Sequence, residues 1–331
     1  MHKHGVLVTL LISFLFLAAS ASANLATDVP AVFRRTSSVV NPQSATGSGV
    51  GVHDPSMVRT LSGLYILYGT APGISISTSK DRRNWVAAGT AFSGSPWADH
   101  LTGPNGNLWA PDVTFTGGKF VMYYCASQFG TQNSEIYMAT SPTGLANSWT
   151  HHGVVISSSP AVGFNAIDPG LTVTQDKWYL SFGSFFNGIH QIELNPSTGM
   201  PVNVNNIKNL ARRNVPSGAV EASTIYRAGG YYYLMVSWDL CCRGRASTYR
   251  MMVGRSSSPS GPFLDQSGVD MVKGGGTELM GSHNFVHGPG GQSIFHDKHG
   301  MVVVYHWYHD DNSHSLGINN LAHVNGWPVI L

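Results

Sequence analysis

From residue 54 onward the apolar residues fall into short, dense runs, each bounded by Gly, Asp, Asn or Lys. Leu64-Tyr65-Ile66-Leu67 is one; FVMYYC, WYLSF, YYYLMV and MVVVYHWY are others. Such runs, rich in aromatic and β-branched residues and bracketed by turn formers, predict strands joined as hairpins and meanders. Helical periodicity is hard to find anywhere after the first segment.

Set against itself, the chain repeats. Units begin in residues 54–92, 108–155, 165–194, 220–263 and 287–327. Each has a short strand, a turn, an aromatic-rich strand, a loop and a third strand, often with a Trp near its end. Five such units predict an all-β, five-bladed β-propeller, in which radial closure protects the sheet edges. A β-sandwich or irregular all-β fold is the alternative.

The start of the chain has a different pattern. MHKHG precedes the apolar VLVTLLISFLFLAA and then Ala21-Ser22-Ala23. A basic start, a short apolar stretch and a small-x-small site predict a secretory signal peptide over 1–23. Residues 24–50 read as an N-terminal extension, and 51–331 as the propeller domain. No later stretch is apolar for long enough to predict a membrane helix.

Composition narrows the function. Charged residues are 11% of the chain, against roughly 25% in an average domain. Net charge is +2 with no basic run, which argues against nucleic acid and anionic membranes as partners. A glycine- and aromatic-rich, charge-poor chain suits a secreted β protein whose aromatics stack on sugars. Of three cysteines, Cys125 lies in an apolar run, while Cys241 and Cys242 are adjacent. The adjacent two either form a vicinal disulfide or remain thiols. No Asn-x-Ser/Thr sequon is present, so N-glycosylation is not expected.

The candidate chemistry comes from four acids. Asp54, Asp112, Asp168 and Glu221 each sit near the start of a unit's first strand, and His287 holds the similar place in the fifth unit. In a propeller those strands line the central channel, so the acids are expected to converge on the axis. Gathered carboxylates repel one another and resist ionising together. They therefore point to acid/base chemistry or cation binding. Asp112 follows Pro111, where capping a turn explains it at least as well. Asp54 and Asp168 precede prolines and are also possible turn formers. Glu221, in the apolar VEAS, is not explained by turn chemistry.

At these residues the chain resembles glycoside hydrolase family 43, the arabinanase and β-xylosidase family, in the manner of secreted fungal endo-1,5-α-L-arabinanases. VHDPS, NLWAPDV, NAIDPGL, KWYLSFGSFFNGI, VEAS, STYRMMVGRS, GPGGQS and GWPV carry the likeness over roughly residues 50–329. The resemblance implies an inverting enzyme on a five-bladed propeller. It makes Asp54 the general base, Glu221 the general acid and Asp168 the residue that tunes and orients that acid. Inversion requires one carboxylic acid to protonate the leaving oxygen and one carboxylate to activate water. The resemblance also implies sugar contacts for His53, Phe129, Gly130, Asn165, Ala166, Ile167, Ser184, Phe185 and Phe186. Trp109 is a further stacking candidate, with blade packing the other explanation. Related bacterial enzymes hold a calcium or other cation through a GPGH histidine. Here Gly291 stands at that place, and His287 is the candidate metal ligand.

The expected function is therefore a secreted, monomeric hydrolase that cleaves internal α-1,5 bonds of arabinan, the pectin side chain. An exo-acting α-L-arabinofuranosidase or β-xylosidase on the same fold, or a non-catalytic sugar-binding module, is the alternative. Neither HExxH nor G-x-S-x-G occurs, so zincin and serine-hydrolase chemistry are not expected.

Overall fold

A computed structural model describes residues 40–331. The predicted signal peptide and most of the predicted extension lie outside the described residues.

The described chain is five antiparallel sheets arranged in a ring, a five-bladed β-propeller. Blade one holds Ser56–Arg59, Tyr65–Gly69, Ser75–Ser79 and Val86–Thr90. Blade two holds Asn107–Thr116, Lys119–Ser127, Ser134–Ser141 and Thr150–Ser158, plus an edge pair with the short Ala71–Pro72. Blade three holds Gly170–Val173, Trp178–Phe182, Ile189–Leu194 and Lys208–Ala211. Blade four holds Val220–Ala228, Tyr231–Trp238, Arg250–Ser256 and Thr277–Met280. Blade five holds His287–Asp297, Gly300–Tyr308, His314–Val324 and Trp327–Ile330. Each blade is a meander in sequence order. Its innermost strand is followed by the second strand, which is nearly all buried in blades one, two and four. Among the described residues, helix is confined to Asp99–Thr102 and three short 3-10 turns. The repeat places the blades correctly, but the fourth strands of blades three and four lie beyond the repeat's bounds.

Apolar clusters fill the spaces between neighbouring blades. Ile66, Tyr68 and Ile76 of blade one pack on Val113, Met122 and Tyr124 of blade two. Met57 and Leu67 of blade one pack on Val302, Val304 and Ile318 of blade five. Among the described residues, this last junction closes the ring without a strand shared between the first and last blades. Residues 41–50 lace it instead. Gln43 N–H donates to the Ile318 carbonyl at 2.8 Å, Trp85 N–H to that of Thr46 at 2.8 Å, and Leu316 N–H to that of Val50 at 2.8 Å. Tyr65 Oη donates to Asp297 at 2.9 Å across the same seam.

Each innermost strand enters through a left-handed corner. The corner residues are Asp54, Ala110, Asp168, Ala222 and Gly291, with φ of 48°, 44°, 55°, 54° and 60°. The strand register shifts at or beside three of them, between Trp109 and Asp112, Glu221 and Thr224, and Gly290 and Ser293. This corrects the equivalence read from the repeat. Asp54 and Asp168 are true equivalents. Asp112 lies two residues past its corner, Glu221 one before, and His287 four before. A bulge displaces the next side chain by a residue, so acids counted along the sequence need not share a position in space.

Candidate active site

The corners and the residues just after them surround one central depression. It is lined by Asp54 and Pro55, Ala110 to Asp112, Asp168 and Pro169, Ala222 to Thr224, and Gly291 to Ser293. Every blade contributes, and two of the three expected catalytic acids face it.

Glu221 lies one residue before a corner and is only 8% exposed. Its Oε2 accepts from Ser184 Oγ at 2.5 Å, and its Oε1 accepts from Tyr249 Oη. Burial raises its pKa, the two hydroxyl donors lower it, and the Asp54 charge raises it again; the direction is upward. Ser184, a candidate sugar contact, is thus also a partner of the acid.

Asp168 Oδ2 accepts the Ala222 N–H at 3.0 Å. This bond fixes the peptide that follows Glu221, and so orients the acid through the backbone. Burial, then the Glu221 charge, then the Asp54 charge push Asp168 well above the usual carboxylate range. Glu221 and Asp168 titrate as a pair that resists holding two negative charges.

Asp54 stands apart from both in its surroundings, with a side chain 28% exposed. Thr70 Oγ1 donates to its Oδ2 at 2.6 Å and accepts from the Ala110 N–H at 3.0 Å. Its own N–H donates to His306 Nδ1 at 3.2 Å. His306 is wholly buried, and desolvation, then His53 and His314, push its pKa far down. The ring is therefore neutral, and its 3.5 Å approach to Asp54 Oδ1 is not an ion pair. With Nδ1 accepting, the network puts the ring proton on Nε2.

Asp112 belongs to the framework. Its buried carboxylate accepts the Leu171 N–H of blade three at 2.7 Å, and burial raises its pKa to about 6. It joins two blades where a turn cap was expected. Ser56 does the same one blade earlier, accepting from Val113 N–H at 3.0 Å.

The expected sugar contacts divide. Phe129 is 82% exposed, with its ring edge-on to half-buried Trp109 at 6.2 Å. Beside it, nothing lies within 4 Å of where a Cβ on Gly130 would stand, so that loop leaves open space. Phe186 is 50% exposed, and Phe185 is half-buried. Asn165 is buried, with Oδ1 accepting from Ser134 Oγ at 2.7 Å. Ala166 and Ile167 pack into the apolar cluster between blades two and three with Phe164 and Phe182; they form the floor's underside. His53 stacks on His306 at 4.0 Å, and its Nε2 is hydrogen-bonded with Tyr308 Oη at 2.9 Å.

His287 lies outside the depression, with Nε2 2.9 Å from the exposed Asp310. A calcium held through it does not fit. At Gly291 an added Cβ would stand 2.7 Å from both Asp54 Oδ1 and His306 Nδ1, so no side chain enters there either. Among the described residues, His53, Asp54 and His306 bring three ligand-type atoms within 4.8 Å. Two imidazoles and one carboxylate suit zinc- or copper-like ions rather than calcium, which takes six to eight oxygens.

Sequence reasoning missed Tyr249, Thr70, His306 and Tyr308. Tyr249 lies in the quoted STYRMM, just before a strand, but nothing local marks it as the acid's partner. Cys241 and Cys242 form a disulfide, which resolves that alternative. Cys125 is a buried thiol with its pKa raised well up by burial.

Comparison with known proteins agrees with this geometry. The family model for glycosyl hydrolases family 43 matches residues 49–328. The extracellular endo-α-(1→5)-L-arabinanase 1 of Bacillus subtilis (strain 168) is 40% identical over 286 residues, 84% of this chain and 87% of its own. Arabinan endo-1,5-α-L-arabinosidase A of Aspergillus niger is 37% identical, covering 88% and 96%. An exo-1,5-α-L-arabinanase structure from a bovine ruminal metagenomic library superposes with a TM-score of 0.80. It has 34% identity and covers 85% of this chain and 97% of its own.

Proposed function

The chain belongs to family 43 of the glycosyl hydrolases, and from that premise we propose that it cleaves internal α-1,5-L-arabinofuranosidic bonds of arabinan with inversion. The observation that carries the reading is the paired environment of the acids. One is buried, raised in pKa and gripped by two hydroxyls; the other is reached by solvent and has a second carboxylate, Asp168, between them in chain order.

In the proposed reaction Glu221, protonated, gives its proton to the glycosidic oxygen as the bond to the anomeric carbon breaks. Asp54 takes a proton from water as that water attacks the opposite face. The Glu221–Asp168 pair resists carrying two negative charges, so the pair holds one proton to higher pH than a lone carboxyl would. Ser184 and Tyr249 hold Glu221 in one orientation; when Glu221 is protonated, the hydroxyl facing its O–H turns to accept and the other still donates. Phe129, Trp109 and Phe186 offer exposed or half-buried apolar faces for arabinose rings. We assign residues 1–23 as a leader that sends the enzyme out of the cell, in keeping with the extracellular relative. No helix of the described residues is long and apolar enough to cross a membrane.

The test is digestion of linear arabinan, debranched arabinan and xylan, with product sizing and NMR of the new anomeric centre. Short arabino-oligosaccharides, an early fall in viscosity and inverted configuration are expected. Arabinose as the sole early product would favour exo action, the mode named for one structural neighbour. Retention of configuration would overturn the mechanism.

A further inference from the structure

The corner residues share a device. At four of the five corners a side chain accepts the corner N–H. Thr70 Oγ1 accepts from Ala110 at 3.0 Å, Ser237 Oγ from Gly291 at 3.0 Å, and Asp168 Oδ2 from Ala222 at 3.0 Å. At the corner that carries the base, the acceptor is His306, in another blade and 252 residues away. An imidazole is far larger than a hydroxyl, and it is wholly buried here. Gly291 makes the room: a side chain there would collide with both His306 Nδ1 and Asp54 Oδ1.

The ring is itself held. Tyr308 Oη accepts the Cys242 N–H at 3.0 Å and hydrogen-bonds His53 Nε2 at 2.9 Å. His53 lies flat on His306 with rings 22° from parallel. The chain Cys242, Tyr308, His53 and His306 therefore runs from the rim loop to the backbone of the base.

We propose that His306 is a positioning residue for hydrolysis: its Nδ1 anchors the Asp54 peptide across the blade seam, and that anchor sets where the Asp54 carboxylate stands against the attacking water. The inference rests on the assignment of Asp54 as base. Misplacing a reacting group by about 1 Å can cost on the order of 10²-fold in rate, so the anchor governs turnover more than affinity.

Two substitutions separate anchoring from filling space. His306→Asn keeps an acceptor near the Nδ1 position but loses ring volume. His306→Phe keeps the volume and loses the acceptor. On linear arabinan, His306→Phe is expected to lower kcat by about 10- to 100-fold at little-changed KM, and His306→Asn to retain most of kcat. The reverse order, with Phe near wild type and Asn impaired, overturns the proposal, because packing alone predicts it. Should both variants fail to fold, Tyr308→Phe decides. Loss of the hydroxyl is expected to lower kcat several-fold at unchanged KM, and wild-type kcat would overturn the proposal. Asp54→Ala, measured alongside, separates the two failures. If that variant stays active, the base assignment is wrong. If it is inactive while both His306 variants match wild type, only the anchoring inference falls.

Discussion

The corner that carries Asp54 and the corner beside Glu221 have the same backbone and opposite chemistry. Both turn through a left-handed residue and both give the corner N–H to a side-chain acceptor. At the first, the acid is the corner residue, it meets solvent, and a neutral imidazole from the far end of the chain catches its backbone. At the second, the corner is Ala222, the acid is the residue before it, and a carboxylate catches the backbone. The one-residue offset turns Glu221 toward Ser184 and Tyr249 and buries it. One scaffold thus makes a solvent-reached carboxylate and a proton-retaining one, by changing which residue of the corner carries the acid. The left-handed φ of Asp54 and Asp168 is of the kind that short polar side chains tolerate.

The comparison breaks first at the acids themselves. Asp54→Ala and Glu221→Ala should each lower kcat on arabinan by about 10²–10⁴-fold with circular dichroism unchanged; near-wild-type turnover in either would remove it from the reaction. Glu221→Gln adds a stability readout. A carboxyl whose folded pKa is raised binds its proton more tightly when folded, so its stabilising contribution is lost as pH rises through that pKa. Thermal melts of Glu221→Gln should therefore lie above wild type on the alkaline side and depend less on pH there.

The acid's two kinds of neighbour should move its titration in opposite directions. Asp168→Asn removes one member of a pair that resists a second negative charge, so Glu221 should ionise at lower pH than the pair's last proton does, and the alkaline limb of kcat/KM should fall, with activity lost. Tyr249→Phe removes a donor that favours the charged form, so the same limb should rise. Two limbs moving together would show that the Glu221 corner is not tuned as described.

The smallest effect is expected where a corner carries no chemistry. Ala110 holds φ of 44° with only a methyl group. Ala110→Gly relieves left-handed strain of about 1–2 kcal/mol against an entropic cost of about 0.5–1 kcal/mol. A gain of about 0.5–1 kcal/mol in urea midpoint experiments is expected, with kcat unchanged. A loss of stability would mean the corner is not strained.

Much of this was legible beforehand. The repeat of aromatic second strands, such as KFVMYYC and YYYLMVSW, predicts five blades because a strand's alternation and its turns are local properties. VHDPS, NAIDP and VEAS mark the three acids. The register among them was not legible. Counting acids along the repeat paired Asp112 and Glu221 with Asp54, whereas the spatial equivalents are Ala110 and Ala222, residues with no functional group to notice. Asp112 read as a turn former and is a link between blades.

By itself, then, the sequence determined the fold class, the blade count and which acids are candidates, all of which depend on neighbours within a few tens of residues. Only the tertiary structure decided what surrounds each acid. Bulges shift side chains by one or two places, and ring closure brings residue 306 to residue 54. Burial and partner geometry, which set whether a carboxyl keeps its proton, arise from contacts between blades and have no signature in any one of them.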